Sequence, residues 1–506
     1  MGFYRLQIQI TEDAKIILRD LGLIVQVVGS MALLSLPVAL FFKEYYALLP
    51  LLITAGASSI FGLGAFWAFR EAGETTLKQG MIIAAAGWLL VSLFGALPFY
   101  LIALELSSQP GTPQTVLYFA QPINAFFESV SGYTSTGLTM TLHPSELPRT
   151  LQWWRSFTEW IGGVGVIVLM LSIISGPGTR FWSLYYAEAR QEKIHPSIRS
   201  TVRTIWWIFI LYTVGSLLLL WAVGMPWWDA LNHAMTGIAT GGFTVSDRSI
   251  AGYESLWIEL ALLPIMLGGA ISFAIHYEFL RRRRLQALWE DHQTHWLLVL
   301  LLFGVLLLAL ENLLRLEPLP AIRDAAFQFT SALTCTGFQT ADIHGWSSTA
   351  KLLLTGGMIF GGAAGSTAGG IKVIRVVILI KGIGWRLRRL IAAPNVLVRF
   401  RVGRTVIDDG EATRRIIDAA LIITLWLFFL AVGVVILLHT VSGSFDLSDI
   451  LFEVASAQGN VGLSTGITGP GMPLIAKLAL CFNMWIGRLE IIPVLLLLRA
   501  IFVGVD

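Results

Sequence analysis

The sequence predicts an all-α polytopic membrane protein, built from two N-terminal helices and four repeats of helix, re-entrant loop and helix. The 506 residues are 55% hydrophobic and only 13% charged, and the mean hydropathy of +0.72 lies far above that of a soluble domain. Ten apolar segments are near or above the roughly twenty residues that cross a bilayer. One polar motif recurs four times between those segments.

The ten predicted spans follow one another with short connections. They cover residues 16–42, 45–69, 81–103, 151–175, 203–224, 254–280, 294–314, 350–382, 416–440 and 472–503. The polar N-terminal stretch does not look like a cleavable signal peptide, so we expect no processing.

Lys and Arg are divided unevenly between the two faces that these spans define. One face carries 25 of them, in segments 1–19, 70–80, 176–203, 281–284 and 372–415, and the other carries 8. The positive-inside rule therefore predicts that both termini are cytoplasmic. The run RRRR at 281–284 is interpreted as part of this signal, with contact to acidic lipid or a partner as the alternative.

The recurrent motif aligns in four segments without a gap. They read NAFFESVSGYTSTGLT (124–139), DALNHAMTGIATGGFT (229–244), DAAFQFTSALTCTGFQ (324–339) and DILFEVASAQGNVGLS (449–464). The first position is predicted to be the N-cap of a short helix, and it holds Asn124, Asp229, Asp324 or Asp449. A polar residue follows four places later, namely Glu128, His233, Gln328 or Glu453, and a glycine nine places after that, namely Gly137, Gly242, Gly337 or Gly462.

This agreement argues against the alternative, ordinary connecting loops rich in turn-forming Gly and Thr. The motif divides the chain into two N-terminal helices (1–75) and four repeats (76–180, 196–285, 292–390 and 410–506). About eight helical residues rise only ~12 Å, so each segment enters the membrane part-way and returns as non-helical backbone. Such backbone is tolerated at that depth only where protein or a water-filled path surrounds it. We therefore expect four loops around a pseudo-fourfold pore.

The residues at the four turns indicate what this pore would conduct. The candidate selectivity filter consists of Thr134, Ser135, Thr136, Gly137, Ala239, Thr240, Gly241, Gly242, Thr334, Cys335, Thr336, Gly337, Gly459, Asn460, Val461 and Gly462. Glycine tolerates positive φ, so successive carbonyls can form rings of oxygen that replace the hydration shell of a cation. None of these residues is a carboxylate, which favours a monovalent cation over a divalent one.

Two further features lie inside predicted spans. Residues 361–370 (GGAAGSTAGG) contain Gly361, Gly362, Gly365, Gly369 and Gly370, which predicts a broken helix and a mobile constriction below the loops. Close helix packing through small residues is the alternative. Arg488 is a cation within the last span, where it is costly unless it faces an aqueous cavity or a structural ion-pair partner.

Other chemistry finds little support in the sequence. The eight histidines have no metal-ligand spacing, and no nucleophile–base arrangement is present, so we predict no enzyme and no cofactor on this chain. Nucleic-acid recognition has no support either. Glu159, Glu259 and Glu278 are candidates for proton coupling, although a structural hydrogen bond is the more frequent role of such residues.

Four local strings give the chain a specific resemblance: WRSFTEWIGGVGVIVL (154–169), MLGGAISFAIHYEF (266–279), GGAAGSTAGGIKVIRV (361–376) and MWIGRLEIIPVL (484–495). With the four motif glycines, the chain resembles the TrkH/KtrB/HKT superfamily of potassium transporters over nearly its whole length. The two additional N-terminal spans are similar to the TrkH branch, whereas SAQGNVGLSTGIT (456–468) looks more like the KtrB type.

The resemblance implies the function and the partners of the chain. A glycine in all four filters goes with potassium selectivity in that family, and a serine in the first goes with sodium-permeable plant members. The family also implies that residues 361–370 form a gating loop beside the pore arginine, Arg488. It implies a homodimer in the lipid of a bacterial inner membrane, regulated by a cytosolic TrkA-type ring that carries the nucleotide.

Two departures leave alternatives open. The second and fourth filters, ATGGF and GNVGL, differ from the T-x-T-G form of the first and third, so the strictness of selection against sodium is open. A proton- or sodium-coupled cation symporter is the alternative within transport. A membrane scaffold without transport is the alternative from another class.

Overall fold

The computed structural model describes residues 11–165, 194, 198–283, 286–393, 398–402, 405–441 and 443–504. Its α-helices are α1 (Glu12–Phe41), α2 (Leu48–Ala68), α3 (Leu77–Ser107), α4 (Gln114–Leu117), α5 (Pro122–Tyr133), α6 (Arg149–Val164), α7 (Ile198–Ala222), α8 (Trp227–Ile238), α9 (Leu256–Ala270), α10 (Phe273–Arg282), α11 (Gln286–Glu290), α12 (His292–Asn312), α13 (Pro318–Leu333), α14 (Ser348–Ile359), α15 (Val373–Ile391), α16 (Asp409–Thr440), α17 (Leu447–Gly459), α18 (Leu474–Arg488) and α19 (Ile492–Val503). Short 3-10 turns lie at Tyr45–Ala47, Tyr118–Ala120, Pro144–Glu146, Ser249–Tyr253 and Ile343–Gly345.

Two pairs of very short strands complete the described secondary structure. The strands β1 (Phe360–Gly361) and β2 (Ile371–Lys372) pair in parallel, with Phe360 opposite Ile371. The strands β3 (Phe400–Val402) and β4 (Thr405–Ile407) form an antiparallel hairpin. The fold is otherwise helical, which confirms the predicted class.

Six helices among the described residues are long and apolar enough to cross a membrane without interruption: α1, α2 with the turn before it, α3, α7, α12 and α16. Side chains fix where several of them begin. Thr76 and Gln79 form a capping box at the start of α3, and Asp291 and Asp408 accept backbone N–H bonds at the starts of α12 and α16. Such caps satisfy amides that have no partner inside the helix.

The N-terminal pair, α1 and α2, docks onto the first repeat. Pro148, the residue directly before α6, makes no side-chain cap. Instead the carboxylate of Glu44 accepts the amides of Arg149 (2.7 Å) and Thr150 (2.8 Å), the first two residues of that helix. Trp153 adds a hydrogen bond to the hydroxyl of Ser35 at 3.1 Å. A residue about a hundred positions away thus supplies the N-terminal cap of α6.

Each repeat contains a short re-entrant helix, and its start differs from the sequence-based prediction. The helices α5, α8, α13 and α17 begin before the shared Asn or Asp, so the prediction that these residues are N-caps was wrong. Asn124, Asp229 and Asp449 are each the third residue of their helix, and Asp324 lies a further turn in. Proline fits the first helical position of α5 and α13 because its missing N–H is not needed there.

Repeat 4 replaces that proline with a capping box. Asp446 precedes α17 and accepts the amide of Asp449, whose side chain accepts the amide of Asp446 in return. Hydrogen bonds from the Ser448 hydroxyl and the Asp449 amide lower the pKa of Asp446 to about 2.

The second helices of the repeats are interrupted more often than the sequence predicted. The interruption expected within span 350–382 is present, between α14 and α15. The predictions of unbroken spans at 254–280 and 472–503 were wrong. The first consists of α9 and α10, which meet at 108°, and the second consists of α18 and α19. Span 151–175 begins with α6, and its part beyond Gly165 lies outside the described residues, as do parts of the basic segments predicted to be cytoplasmic.

The break between α9 and α10 has a clear physical reason. The carbonyls of Gly269 and Ala270, which the break releases, accept the amides of Thr367 and Ala363 at 3.1 and 2.9 Å. The amide of Phe273 in turn donates to Gly365 at 3.1 Å. A distant segment therefore satisfies the backbone groups that helix continuation would have used, as the interior of a membrane protein requires.

Candidate functional site

Four re-entrant loops meet at one axis; we number them loops 1 to 4 (residues 134–137, 239–242, 334–337 and 459–462). A Cβ atom built on the last glycine of each loop would fall within 2.2 Å of a backbone carbonyl oxygen of another loop. The pairs are Gly137 with Gly241 (2.1 Å), Gly242 with Thr336 (2.2 Å), Gly337 with Val461 (2.1 Å) and Gly462 with Thr136 (2.2 Å). The contacts run from loop 1 to 2, 3, 4 and back to 1, so the loops form a closed ring in chain order. Only glycine fits these four positions without displacing the neighbouring backbone.

The backbone of the four loops repeats one conformation. The second and fourth positions of every loop have positive φ: 51° and 93° at Ser135 and Gly137, 51° and 83° at Thr240 and Gly242, 56° and 87° at Cys335 and Gly337, and 54° and 93° at Asn460 and Gly462. Left-handed conformations that alternate with right-handed or extended ones let successive carbonyls face the same side. Rings of carbonyl oxygen are the ligands that replace the hydration shell of a monovalent cation in ion filters.

Loops 1 and 3 share a hydroxyl pair that loops 2 and 4 lack. The Oγ1 atoms of Thr134 and Thr136 lie 2.7 Å apart, and those of Thr334 and Thr336 lie 2.7 Å apart. In loop 4 the side-chain amide of Asn460 instead donates to the Thr136 hydroxyl at 3.0 Å and to the carbonyl of Met484 at 2.9 Å. Loop 4 is thereby hydrogen-bonded to loop 1.

Carboxylates anchor the chain that leaves loops 1 and 4. Glu128 of α5 accepts the Thr139 hydroxyl and the Met140 amide, both at 2.7 Å. Glu453 of α17 accepts the Ser464 hydroxyl at 2.8 Å and the Thr465 amide at 3.0 Å. These are the motif residues four places after the Asn or Asp, and they tie the outgoing chain of a loop to the re-entrant helix that enters it.

A serine one turn further along holds the glycine itself in the same two repeats. Ser131 accepts the amide of Gly137 at 3.1 Å, and Ser456 accepts the amide of Gly462 at 3.0 Å. These anchors were not predicted as site residues. The sequence feature that could have identified them is their constant position, six residues before the last glycine of the loop.

Repeats 2 and 3 have weaker anchors. Gln328 donates to the Thr340 hydroxyl at 3.1 Å, and His233 bonds the carbonyl of Asp229 within its own helix at 2.7 Å. At the motif positions equivalent to Glu128 and Ser131, four buried polar atoms of these repeats have no hydrogen-bond partner among the described residues: His233 Nε2, Thr236 Oγ1, Gln328 Oε1 and Ser331 Oγ.

A cavity of about 380 Å³ lies on the side of the ring where the second helices begin, and it touches the last glycine of all four loops. The Arg155 side chain contributes to its wall. This guanidinium pairs with Glu128 at 2.7 Å, donates to the carbonyl of Thr244 at 2.8 Å and stacks on Phe243 at 4.1 Å. Because Glu128 compensates its charge, the wall does not present an unpaired cation to an entering ion.

The glycine-rich segment, residues 361–370, lies at the opposite side of the ring. Thr367 donates its hydroxyl to the carbonyl of Ile238 at 3.1 Å and receives the Thr240 hydroxyl of loop 2 at 3.1 Å. A Cβ on Gly369 would lie 2.1 Å from the carbonyl of Gly459 in loop 4. The segment is therefore packed directly beneath loops 2 and 4.

Glycine is required at several positions of this segment. A Cβ on Gly361 would lie 1.8 Å from the carbonyl of Gly369, and one on Gly362 would lie 2.8 Å from the carbonyl of Ala270. Gly365 and Gly370 have φ of 74° and 66°. The strands β1 and β2 close the segment at its two ends.

Arg488 joins the glycine-rich segment to the first repeat. Its guanidinium donates to the carbonyl of Thr367 at 2.9 Å and to the carbonyls of Gly162 and Gly163 near the C-terminal end of α6. The indole of Trp88 lies 5.5 Å from its centre. The C-terminal carbonyls of a helix carry partial negative charge, which stabilises a cation there. Thr367, which sequence analysis did not single out, is the residue that links Arg488 to loop 2.

Two of the candidate coupling carboxylates have structural partners. Glu159 accepts the amide of Phe243 at 3.0 Å. Glu259 forms an ion pair with Arg323, with a closest distance of 2.6 Å. Glu278 lies on α10. Within the part of the chain that the structure describes, no three His, Cys, Asp or Glu side chains come together as a metal site.

Several known proteins are similar to this chain in sequence or in architecture. The family described as "TrkH: Cation transport protein" matches residues 51–503. An uncharacterized cation transporter of Methanocaldococcus jannaschii, MJ1485, is 34% identical over 99% of this chain and 98% of its own length. The Trk system potassium uptake protein TrkH of Salmonella typhimurium is 32% identical over 86% of this chain and 87% of its own.

A solved structure agrees with the sequence relatives. The crystal structure of the potassium transporter TrkH from Vibrio parahaemolyticus superposes with a TM-score of 0.82 and 26% identity, covering 97% of this chain and 99% of that one. The family resemblance read from the four motif glycines is thus confirmed. The chain belongs to the TrkH family of cation transport proteins.

Proposed function

We propose that this protein takes up potassium through the ring formed by loops 1 to 4, which act as its selectivity filter. The closed circuit of glycine-to-carbonyl contacts is the observation that carries the proposal. It brings four carbonyl-rich loops of matching backbone conformation to one axis without a carboxylate in any of them. The potassium uptake activity named for relatives such as TrkH of Salmonella typhimurium supports the choice of ion. Potassium is the transported substrate, and its ligands would be the loop carbonyls.

The first experiment measures selectivity. The purified chain in liposomes should take up potassium in preference to sodium. Gly137→Ser and Gly337→Ser should each reduce that preference, because the new Cβ would collide with the carbonyl of Gly241 or Val461 and spread the ring. Gly345→Ser is a matched control, since a Cβ at this glycine meets no atom within 4 Å. Uptake of neither ion, even with an activating partner, would refute the proposal and favour a scaffold without transport.

We propose further that the glycine-rich segment and Arg488 form the gate. Both lie directly beneath the ring, and their contacts with loop 2, loop 4 and α6 would obstruct the path. A segment held mainly by backbone hydrogen bonds has low local stability and can adopt a second arrangement a few kcal/mol away.

The two ends of this segment lie close together, so residues between them can be deleted as a unit. The backbones of Gly361 and Gly370 already touch, since a Cβ on Gly361 would lie 2.9 Å from the Cα of Gly370. Removing residues 362–369 would join two residues that already lie close together, but it would also remove the partners of the Gly269 and Ala270 carbonyls and of the Phe273 amide at the break between α9 and α10. This deletion, and Arg488→Ala, should raise basal potassium flux while the preference over sodium persists. Unchanged flux in a correctly folded deletion would show that the segment only packs helices.

The remaining elements of the proposal concern assembly and orientation. Both termini would be cytoplasmic in a bacterial inner membrane, with two copies per complex and one pore in each. A TrkA-type cytosolic ring carrying the nucleotide would bind the basic side, to which α15 and the β3–β4 hairpin contribute Arg386, Arg388, Arg389, Arg399 and Arg401. Copurification with such a ring, and a nucleotide-dependent change in flux, would test this.

Coupled symport remains the alternative mechanism. Two of its three candidate carboxylates, Glu159 and Glu259, bind the Phe243 amide and Arg323, and these structural roles support passive flux along the potassium gradient. Flux that follows this gradient alone, unchanged by pH and sodium, would exclude the symporter. A requirement for either coupling ion would establish it.

A further inference from the structure

A second circuit of polar contacts surrounds the ring at the start of the second helices. The fourth residue of each of these helices is polar and buried, with an exposure of 1% at Gln152, 4% at Glu259, 4% at Lys351 and 3% at Lys477. Four different helices thus place an amide, a carboxylate and two ammonium groups at one equivalent position. Buried polar groups of this kind need partners.

Each of these side chains reaches the re-entrant helix of the next repeat. Gln152 accepts the indole N–H of Trp228 on α8 at 2.8 Å. Glu259 pairs with Arg323 on α13 at 2.6 Å, Lys351 with Asp449 on α17 at 2.5 Å, and Lys477 donates to Asn124 on α5 at 2.7 Å. The direction, from repeat 1 to 2, 3, 4 and back to 1, is the direction of the carbonyl ring.

The partners explain the first position of the repeated motif. Asn124 and Asp449 are motif residues themselves, while Trp228 and Arg323 come directly before the motif residues Asp229 and Asp324. The sequence-based assignment as N-caps was wrong, and these contacts supply the role that the position has instead. In repeats 1 and 4 the motif residue itself binds the preceding repeat, and in repeats 2 and 3 the residue just before it does so.

We propose that these four junctions form an inter-repeat clasp that holds neighbouring re-entrant helices at a fixed spacing and thereby sets the ion selectivity of the ring. This inference rests on the proposed function of loops 1 to 4. A buried ion pair tolerates few geometries, because either charge left alone in a low-dielectric site is strongly unfavourable. Packed interiors transmit such positional constraints to adjacent atoms.

The four junctions differ in the charge of their partners. Both flanks of repeat 3, the repeat that carries the glycine-rich segment, are ion pairs: Glu259 with Arg323 on one side and Lys351 with Asp449 on the other. The other two junctions have at least one neutral partner. Repeat 3 is therefore joined to both of its neighbours by charged contacts, although its own loop has the weaker anchors described above.

The first test compares Lys351→Met with Lys351→Arg in liposomes. The methionine variant should lower the ratio of potassium to sodium uptake by about tenfold, within the usual range of coupling between sites, and the arginine variant should restore most of it. Lys15→Met is the matched control, because Lys15 is 41% exposed in its pair with Glu12. If Lys351→Met fails to fold, Glu259→Gln takes its place, because Arg323 is 40% exposed and can turn to solvent. An unchanged ratio in the folded variants would overturn the inference.

A second test needs no transport and so separates this inference from the proposed function. Cys335 and Cys481 are buried, so spin labels can be directed to cysteines placed at Leu319 and Leu447, which are 79% and 60% exposed at the starts of α13 and α17. The distance distribution between the labels should broaden in Lys351→Met and remain narrow in Lys351→Arg and Lys15→Met. A narrow distribution in all three would refute the clasp, even in a protein that transports nothing.

Discussion

Repeats 1 and 4 hold their loops in a different way from repeats 2 and 3, although all four loops have the same backbone. In repeats 1 and 4 a buried carboxylate and a serine bind the loop on both sides of its last glycine. In repeats 2 and 3 the side chains at these motif positions are neutral, and several of their polar atoms lack a partner among the described residues. Loop 2 is bound by a carboxylate of another helix instead, since Glu159 of α6 accepts the amide of Phe243. Repeats 1 and 4 are also adjacent around the ring, since loop 4 closes on loop 1.

The difference teaches that the shape of the ring and its anchoring are separate properties. Shape depends on positive φ and on glycine at four positions, which all repeats share. Anchoring depends on hydrogen bonds to each loop, and a bond to a carboxylate is about twice as strong as one between neutral groups. We therefore regard loops 1 and 4 as the half of the ring that its own re-entrant helices anchor firmly, and loops 2 and 3 as the half that its own re-entrant helices anchor less.

The largest expected effect comes from Glu128→Ala. This change removes the anchor of loop 1 and leaves Arg155, which is 1% exposed, without its ion-pair partner, at a cost of about 3–5 kcal/mol in the free energy of unfolding. In detergent, the unfolding temperature of Glu128→Ala should be much lower than that of the unchanged protein. The double variant Glu128→Ala with Arg155→Met should recover part of it, and a double variant as unstable as the single one would contradict this account.

A smaller effect is expected when the fourth repeat is compared with the third. Glu453→Gln keeps the shape of the side chain but loses its charge-assisted bonds to Ser464 and Thr465, at a cost of about 1.5–3 kcal/mol. Gln328→Leu loses only the bond to Thr340, at about 1 kcal/mol. The unfolding temperature should therefore fall further in Glu453→Gln than in Gln328→Leu. Equal decreases in the two variants would mean that loops 3 and 4 are anchored alike.

The smallest effect, and the sharpest comparison, comes from two serines at equivalent positions. Ser131→Ala leaves the amide of Gly137 without its acceptor and should cost about 1 kcal/mol. Ser331→Ala removes a hydroxyl that has no partner within the described residues and should be neutral or slightly stabilising. If both changes lowered the free energy of unfolding by a similar amount, loops 1 and 3 would not differ in their anchoring.

The sequence predicted the fold class and the four loops well, because both depend on local patterns. Apolar length defines the spans, and the fixed distance from Asn124 to Gly137 recurs in every repeat. The breaks after Ala270 and Arg488 could not be predicted, since the partners that replace the lost helical bonds at the first break, Gly365 and Thr367, lie about a hundred residues away in the chain.

The contacts around the loops were also beyond local reasoning. Glu128 was noted as a repeated polar residue, but nothing in its spacing shows that Arg155 would pair with it. The N-cap interpretation failed because all four helices start earlier, at Pro122 and Pro318 in repeats 1 and 3 and after Pro226 and Asp446 in repeats 2 and 4. In the sequence, Lys351 and Lys477 look like ordinary cations near the ends of spans. Only the arrangement of the repeats around the axis shows that each lysine binds the re-entrant helix of the following repeat.

The capping of α6 by Glu44 bears on the order in which the protein is made. Chains emerge from the ribosome with their N-terminal end first, so α1, α2 and Glu44 are synthesised about a hundred residues before the helix they cap. When α6 enters the membrane, an acceptor for its first two amides is already present. The acceptor that caps the start of α6 is therefore in the chain before that helix is made, and each later repeat likewise follows the repeat to which it binds.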